Sequence, residues 1–265
     1  MKSIFELASA CLHAHSVEDK LALTREAGAL LERGRIDYPS GGYPLPISDT
    51  VFPDLPNLVD PRDLPRRSLA SESGRIALLH SLAHIEFYAI HLAWDILYRF
   101  RGLTAAFCKD WLGVAVEEAL HFSMLRARLR ALGSDYGNLA AHRGLWDVAV
   151  DTADDLLARL ALVPRTLEAR GLDVTPGMIE RLLRAGDAES AEILQQILND
   201  EVGHVAIGSY WFEKSCIERG LNREAAYFDY LERFLKGKIR GPINHDLRRK
   251  AGFEENELRR LEQAQ

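Results

Sequence analysis

Cysteine is scarce in this chain of 265 residues: Cys11, Cys108 and Cys216 are odd in number and far apart. That excludes a disulfide framework and points to a reducing compartment. There is no Cys-x-x-Cys pair, no Gly-rich phosphate loop and no nucleophile elbow. The usual marks of a thiol redox protein, a nucleotide binder and a serine hydrolase are therefore missing. No stretch of any length alternates apolar and polar residues as a strand would. No apolar run reaches membrane-spanning length, because charges interrupt the helical stretches every few residues. The N-terminus, MKSIFELASACLHAHSVEDK, lacks the unbroken apolar core of a signal peptide. Excess positive charge is absent too: a net charge of −6 argues against a dominant nucleic-acid-binding face. These features predict a cytoplasmic globular protein without a membrane partner.

What is present is helical periodicity. Residues 4–34 read as an amphipathic helical region ending near Gly34. Pro39, Pro44, Pro46, Pro53, Pro56, Pro61 and Pro65, seven of the ten prolines, then mark an extended connector, since proline fixes φ and donates no backbone hydrogen bond. A first core helix is predicted over about 72–100, with Leu79, Ala83, Glu86, Ile90, Ala93 and Leu97 on one stripe. A second runs over about 104–132, with Phe107, Trp111, Val114, Glu118, His121 and Leu125 on its stripe and Gly133 as a stop. The stretch from Gly133 to Gly144 is long enough to return along a bundle. A third helix is predicted over about 145–170, with a short helix opened by Thr175-Pro176 after it. Asp187 caps a fourth, over about 188–216, and polar helical segments with a break at Gly237–Pro242 complete the chain. The expected organisation is a helical and Pro-rich extension over residues 1–70, a four-helix core over 71–216 and a helical extension over 217–265.

Two copies of Glu-x-x-His stand about 80 positions apart, Glu118-Ala-Leu-His121 and Glu201-Val-Gly-His204. Residues three apart share a helix face, so each pair can offer one carboxylate and one imidazole to the same ion. Two such pairs, with one carboxylate from each of two further helices, form the ligand set of a two-iron or two-manganese site. Glu86 breaks the apolar stripe of the first helix and supplies the third carboxylate. A buried carboxylate must be paired, protonated or metal-bound. For the fourth, the candidates are Glu168, ranked first because Pro164 one turn earlier can re-aim it, and Asp154; Asp147, Asp151 and Asp155 rank lower.

His80, His84 and His91 read as core or surface histidines, with His84 within reach of the site. Glu117 and Asp200 read either as supports of the ligand imidazoles or as surface charges. Tyr88, Trp111, Phe122 and Trp211 read as core aromatics that can also wall a pocket or carry an electron, and Cys108 as packing. Lys236, Lys238, Arg240, His245, Arg248, Arg249 and Lys250 form a basic run, read first as a solvated helix face.

The segments Val116-Glu117-Glu118-Ala119-Leu120-His121-Phe122 and Asp200-Glu201-Val202-Gly203-His204 resemble the second and fourth helices of the ferritin-like di-iron carboxylate superfamily. Arg165-Thr166-Leu167-Glu168-Ala169-Arg170 is similar to the third helix of its tRNA-modifying branch, the 2-methylthio-N6-isopentenyladenosine hydroxylases. The core from His84 to Trp211 more closely resembles an uncharacterised bacterial ferritin-like family, through His84-Ile-Glu86-Phe, Phe107-Cys-x-Asp110-Trp111 and Leu145-Trp146-Asp147. The resemblance implies an all-α fold, a ferritin-like four-helix bundle. It also implies Glu86, Glu118, His121, Glu168, Glu201 and His204 as ligands. The Pro-rich region and the C-terminal tail have no counterpart in the tRNA enzymes, so their substrate does not carry over.

The expected cofactor is a pair of Fe ions, or alternatively Mn or a mixed Fe/Mn pair, bridged by Glu118 and Glu201 with Glu86 and Glu168 terminal. The expected activity is O2-dependent oxidation or hydroxylation of an organic substrate, with an electron donor as further partner. Ferritin-type iron oxidation and storage is one alternative. A metal-stabilised scaffold binding RNA or protein is another. A homodimer is also expected.

Overall fold

Helix caps and apolar stripes set the architecture of the computed structural model, which describes residues 1–39, 41–42, 44–45, 47, 55–65, 68–237, 239 and 241–263. Pro46 and Pro53 of the connector, and Lys238 and Arg240 of the basic run, lie outside the described residues. The chain forms two compact units, Met1–Asp151 and Thr152–Gln265.

In the first unit the helical region expected over residues 4–34 consists of two helices. α1 spans Ile4–Leu12 and opens on a capping box between Ser3 and Glu6. α2 spans Val17–Glu32 because Ser16 takes the backbone N–H of Asp19 and starts a new helix. Buried Lys20 turns back to cap α1, its Nζ donating to the carbonyls of Cys11 (3.0 Å) and Leu12 (3.2 Å). Two minimal strands, β1 (Lys2–Ser3) and β2 (Ile36–Asp37), pair in parallel.

α3 (Glu72–Arg99) and α4 (Ala105–Ala131) begin on the caps Ser71 and Thr104 and pack along one another. α1 lies on α3 and α2 on α4. The stripe residues are buried throughout, from Leu79 to Leu97 and from Phe107 to Leu125. By length and composition α3 is apolar enough to cross a membrane, which corrects the reading that no run reaches that length; 67% of that window is buried, as in a core helix. α4 stops at Gly133, whose φ of +74° suits a residue without Cβ. The loop after α4 is pinned to the first unit. Ala141 exchanges backbone hydrogen bonds with the 57–59 segment, and α5 (Gly144–Asp151) packs on α3.

In place of the continuous third helix expected over 145–170 there are several segments. α5 ends at Asp151, and Asp155 caps α6 (Leu156–Leu162) through the N–H of Leu157. A π turn occupies Val163–Glu168, and α7 (Ala169–Arg184) continues from it. The short helix expected to open at Thr175-Pro176 does not exist as such: Pro176 lies inside α7, whose packing along α8 (Ala188–Glu218) outweighs the lost backbone hydrogen bond. Asp187 caps α8 as expected, through the N–H of Ser190. α9 (Arg223–Leu235), α10 (His245–Lys250) and α11 (Glu255–Gln263) complete the second unit.

Candidate metal centre

The first unit brings three expected ligands together. Glu86 comes from α3; Glu118 and His121 come from adjacent turns of α4. One ligand atom from each lies within 4.8 Å of the other two. His121 Nδ1 stands 3.4 Å from Glu86 Oε2 and 3.4 Å from Glu118 Oε2. Glu118 and His121 are fully buried and Glu86 nearly so. Donors held about 2.1 Å from one ion are separated by roughly 3.0–3.4 Å at ordinary coordination angles, so the spacing fits a shared cation. Burial alone would lower the His121 pKa, but the two carboxylates outweigh it and raise it to about 11. The triad thus draws a positive charge to its centre, which a proton or a metal can supply.

The second unit carries the other pair on α8. His204 Nδ1 lies 3.4 Å from Glu201 Oε1, with His204 buried and the Glu201 side chain 12% exposed. Glu168 closes the π turn and is half-buried. The competing aspartates sit differently. Asp154 is exposed on the turn before α6, and Asp151 is exposed at the end of α5. Asp147 pairs with Arg143, while Asp155 caps α6 and accepts from the Tyr230 hydroxyl at 2.7 Å.

Other histidines of α3 are structural. His84 Nε2 donates to the His142 carbonyl (2.9 Å), which leaves Nδ1 to accept from the Tyr136 hydroxyl (2.9 Å). His80 Nε2 accepts the backbone N–H groups of Gly137 (3.0 Å) and Leu139 (3.4 Å). Burial pulls both rings down to about 4, so they are neutral near pH 7. His91 Nδ1 lies 2.9 Å from the Phe87 carbonyl. Sequence reasoning missed Tyr136, which packs against Phe87 (5.4 Å between centroids) and Phe122 (5.0 Å); its only signal was an aromatic beside Gly137 in a polar loop.

Tyr88, Trp111, Phe122 and Trp211 are buried, as is Cys108. Glu117 is exposed, and Asp200 accepts from Gln196 at 3.4 Å. In the basic run, Arg248 is buried on Asp173, its Nη2 2.7 Å from Oδ2, and so faces no solvent phosphate. His245 pairs with Glu262, and Arg249 with Asp246.

Fold and site together define a predominantly helical protein with a buried carboxylate–imidazole cluster able to hold a metal ion. The chain belongs to the family described as "Protein of unknown function (DUF455)", which matches residues 13–259. It is similar to a Haemophilus influenzae protein described as an uncharacterized protein, with 46% identity over 215 residues, covering 78% of this chain and 75% of that one. No solved structure matches.

Proposed function

We propose that this protein is an O2-dependent di-iron oxidase or hydroxylase built on a ferritin-like four-helix bundle. In this reading α3, α4, the α6–α7 segment and α8 are the four helices. The Glu86–Glu118–His121 triad and the Glu201–His204 pair are the two halves of one centre. Glu86, Glu118 and His121, together with Glu168, Glu201 and His204, would hold the two metals, with one imidazole available to each. Oxygen-rich donors with one imidazole per metal and no thiolate suit iron, manganese or a mixed pair better than zinc. Bound Fe(II) would supply the electrons that reduce O2.

The observation that carries the proposal is the buried triad, with two carboxylates converging on one imidazole nitrogen. Phe122, next to His121, packs on Phe87 at 5.2 Å and helps exclude water from that side. Such apolar walls suit an organic substrate, and turnover would need an external electron donor. The test adds Fe(II) at rising ratios, first without and then with O2, and measures the optical spectrum and the iron kept after desalting. Retention that stops near two ions per chain, with an O2-dependent spectral change, supports the oxidase. A large assembly that keeps a mineral core would move the assignment to iron storage. Bound metal with no response to O2 would favour a scaffold.

A further inference from the structure

We infer that the C-terminal segment, through Tyr227 and Glu257, positions the metal centre by holding the π turn that ends in Glu168. The inference rests on the two-metal reading above. A π turn widens the helix, so its carbonyls miss their usual i+4 donors, and Pro164 has no N–H to give. Hydroxyls fill the gap. Thr166 Oγ1 donates to the Ala161 carbonyl at 2.8 Å, and the Tyr227 hydroxyl donates to the Arg165 carbonyl at 3.0 Å. The two hydroxyls also lie 3.1 Å apart. Tyr227 is fully buried and comes from α9, beyond the last helix that carries an expected ligand.

A second tie acts on the same turn. The Arg165 side chain is fully buried, and its Nη2 donates to Glu257 Oε1 at 2.8 Å. Phe212, Tyr227 and Phe253 surround the guanidinium, their ring centroids 4.8, 4.5 and 4.6 Å from its central carbon. Glu257, on α11, is itself fixed by Arg223 Nη2 (2.6 Å) and the backbone N–H of Glu254 (2.9 Å). Removing its charge would strand a buried cation, so the turn should shift rather than keep Arg165 in place. A third constraint comes from α8, where a Cβ on Gly208 would overlap the Pro164 ring. One residue more or less in the turn rotates the residues beyond it by roughly 100° about the helix axis, so the register of the turn decides where Glu168 points. Tyr227 and Glu257 are positioning residues in this scheme, and the C-terminal extension is part of the centre's support.

The experiment titrates the full-length wild type, Tyr227→Phe, Glu257→Gln and Glu262→Gln with Mn(II), reading the free ion by electron paramagnetic resonance. Melting temperatures are measured in parallel. Tyr227→Phe keeps the buried ring, and Glu262→Gln alters only the surface partner of His245 on the same helix. Tyr227→Phe and Glu257→Gln should each weaken one of two Mn(II) ions by roughly 10–100-fold, while Glu262→Gln binds both as wild type does. Lower melting temperatures with wild-type affinity for both ions would overturn the inference and leave a purely structural role. Equal weakening in Glu262→Gln would also overturn it, by showing general loosening of the tail. A wild type that binds no Mn(II) would overturn the two-metal reading, and this inference with it.

Discussion

Raising the pH should tighten metal binding at His121, and the geometry of the triad sets how steeply. Its Nδ1 faces Glu86 and Glu118 at 3.4 Å each, and with a pKa of about 11 it carries a proton near pH 7 in the metal-free protein. A metal needs the lone pair of that nitrogen, so the proton must leave. At pH 7 its removal costs roughly 5 kcal/mol, four pH units at about 1.36 kcal/mol each. The cost falls as pH rises toward the pKa, so affinity should climb about tenfold per pH unit. Metal-free stability runs the other way. The folded pKa lies above the unfolded value of 6.5, so the stabilisation from this proton is fully present below 6.5 and is lost as pH rises through about 11. The gain in melting temperature on loading should therefore grow with pH.

Calorimetric titration with Mn(II) from about pH 6 to about pH 8, in two buffers of different ionisation enthalpy, counts the protons released. About one proton per chain should leave from this side of the centre, and His121→Ala should abolish that release. Flat affinity with no proton released would refute the reasoning, because it would show that Nδ1 holds no proton in the metal-free site.

The stripes and caps made much of this readable in advance. Asp187 precedes a long apolar periodicity and α8 starts on it, while the structure adds Ser71 and Thr104 as the caps of α3 and α4. Glu86, Glu118 and His121 were visible as polar interruptions of inward stripes, and a polar group on such a stripe needs a partner whatever the rest of the fold does. The third helix was legible only in part. Pro164 signalled a defect, but its form depends on Tyr227, which lies 62 positions beyond Arg165 and satisfies its carbonyl. No local pattern encodes such a partner. The same holds for Pro176, where packing along α8 decides against the break that the Thr-Pro pair suggested. Tyr136 was hidden because its burial depends on two α3 histidines more than fifty positions earlier, His84 bonding its hydroxyl and His80 holding the backbone beside it.

Glu118→Ala, His121→Ala, Glu201→Ala and His204→Ala should each lose at least one of two metals by elemental analysis, and Glu86→Ala should lose more than Glu72→Ala; two metals in all of them would sink the site. Gly208→Ala should lower stability by about 1–3 kcal/mol, because the new Cβ overlaps Pro164; an unchanged thermal melt would show that α8 can move away from the turn. His80→Ala should release the 133–144 loop, since Nε2 is the acceptor for the N–H groups of Gly137 and Leu139. Losing that acceptor leaves two donors to find water, at about 1–3 kcal/mol, and amide exchange at both positions should quicken while α3 keeps its protection. Acid should mimic the substitution. The folded pKa of His80 is lowered to about 4 from 6.5, so its contribution is intact above 6.5 and fades as pH falls toward about 4, where protonation removes the lone pair that both amides use. Loop exchange that is unaffected by both the substitution and acid would mean that the bridge between Leu58 and Ala141 holds the loop without help from His80.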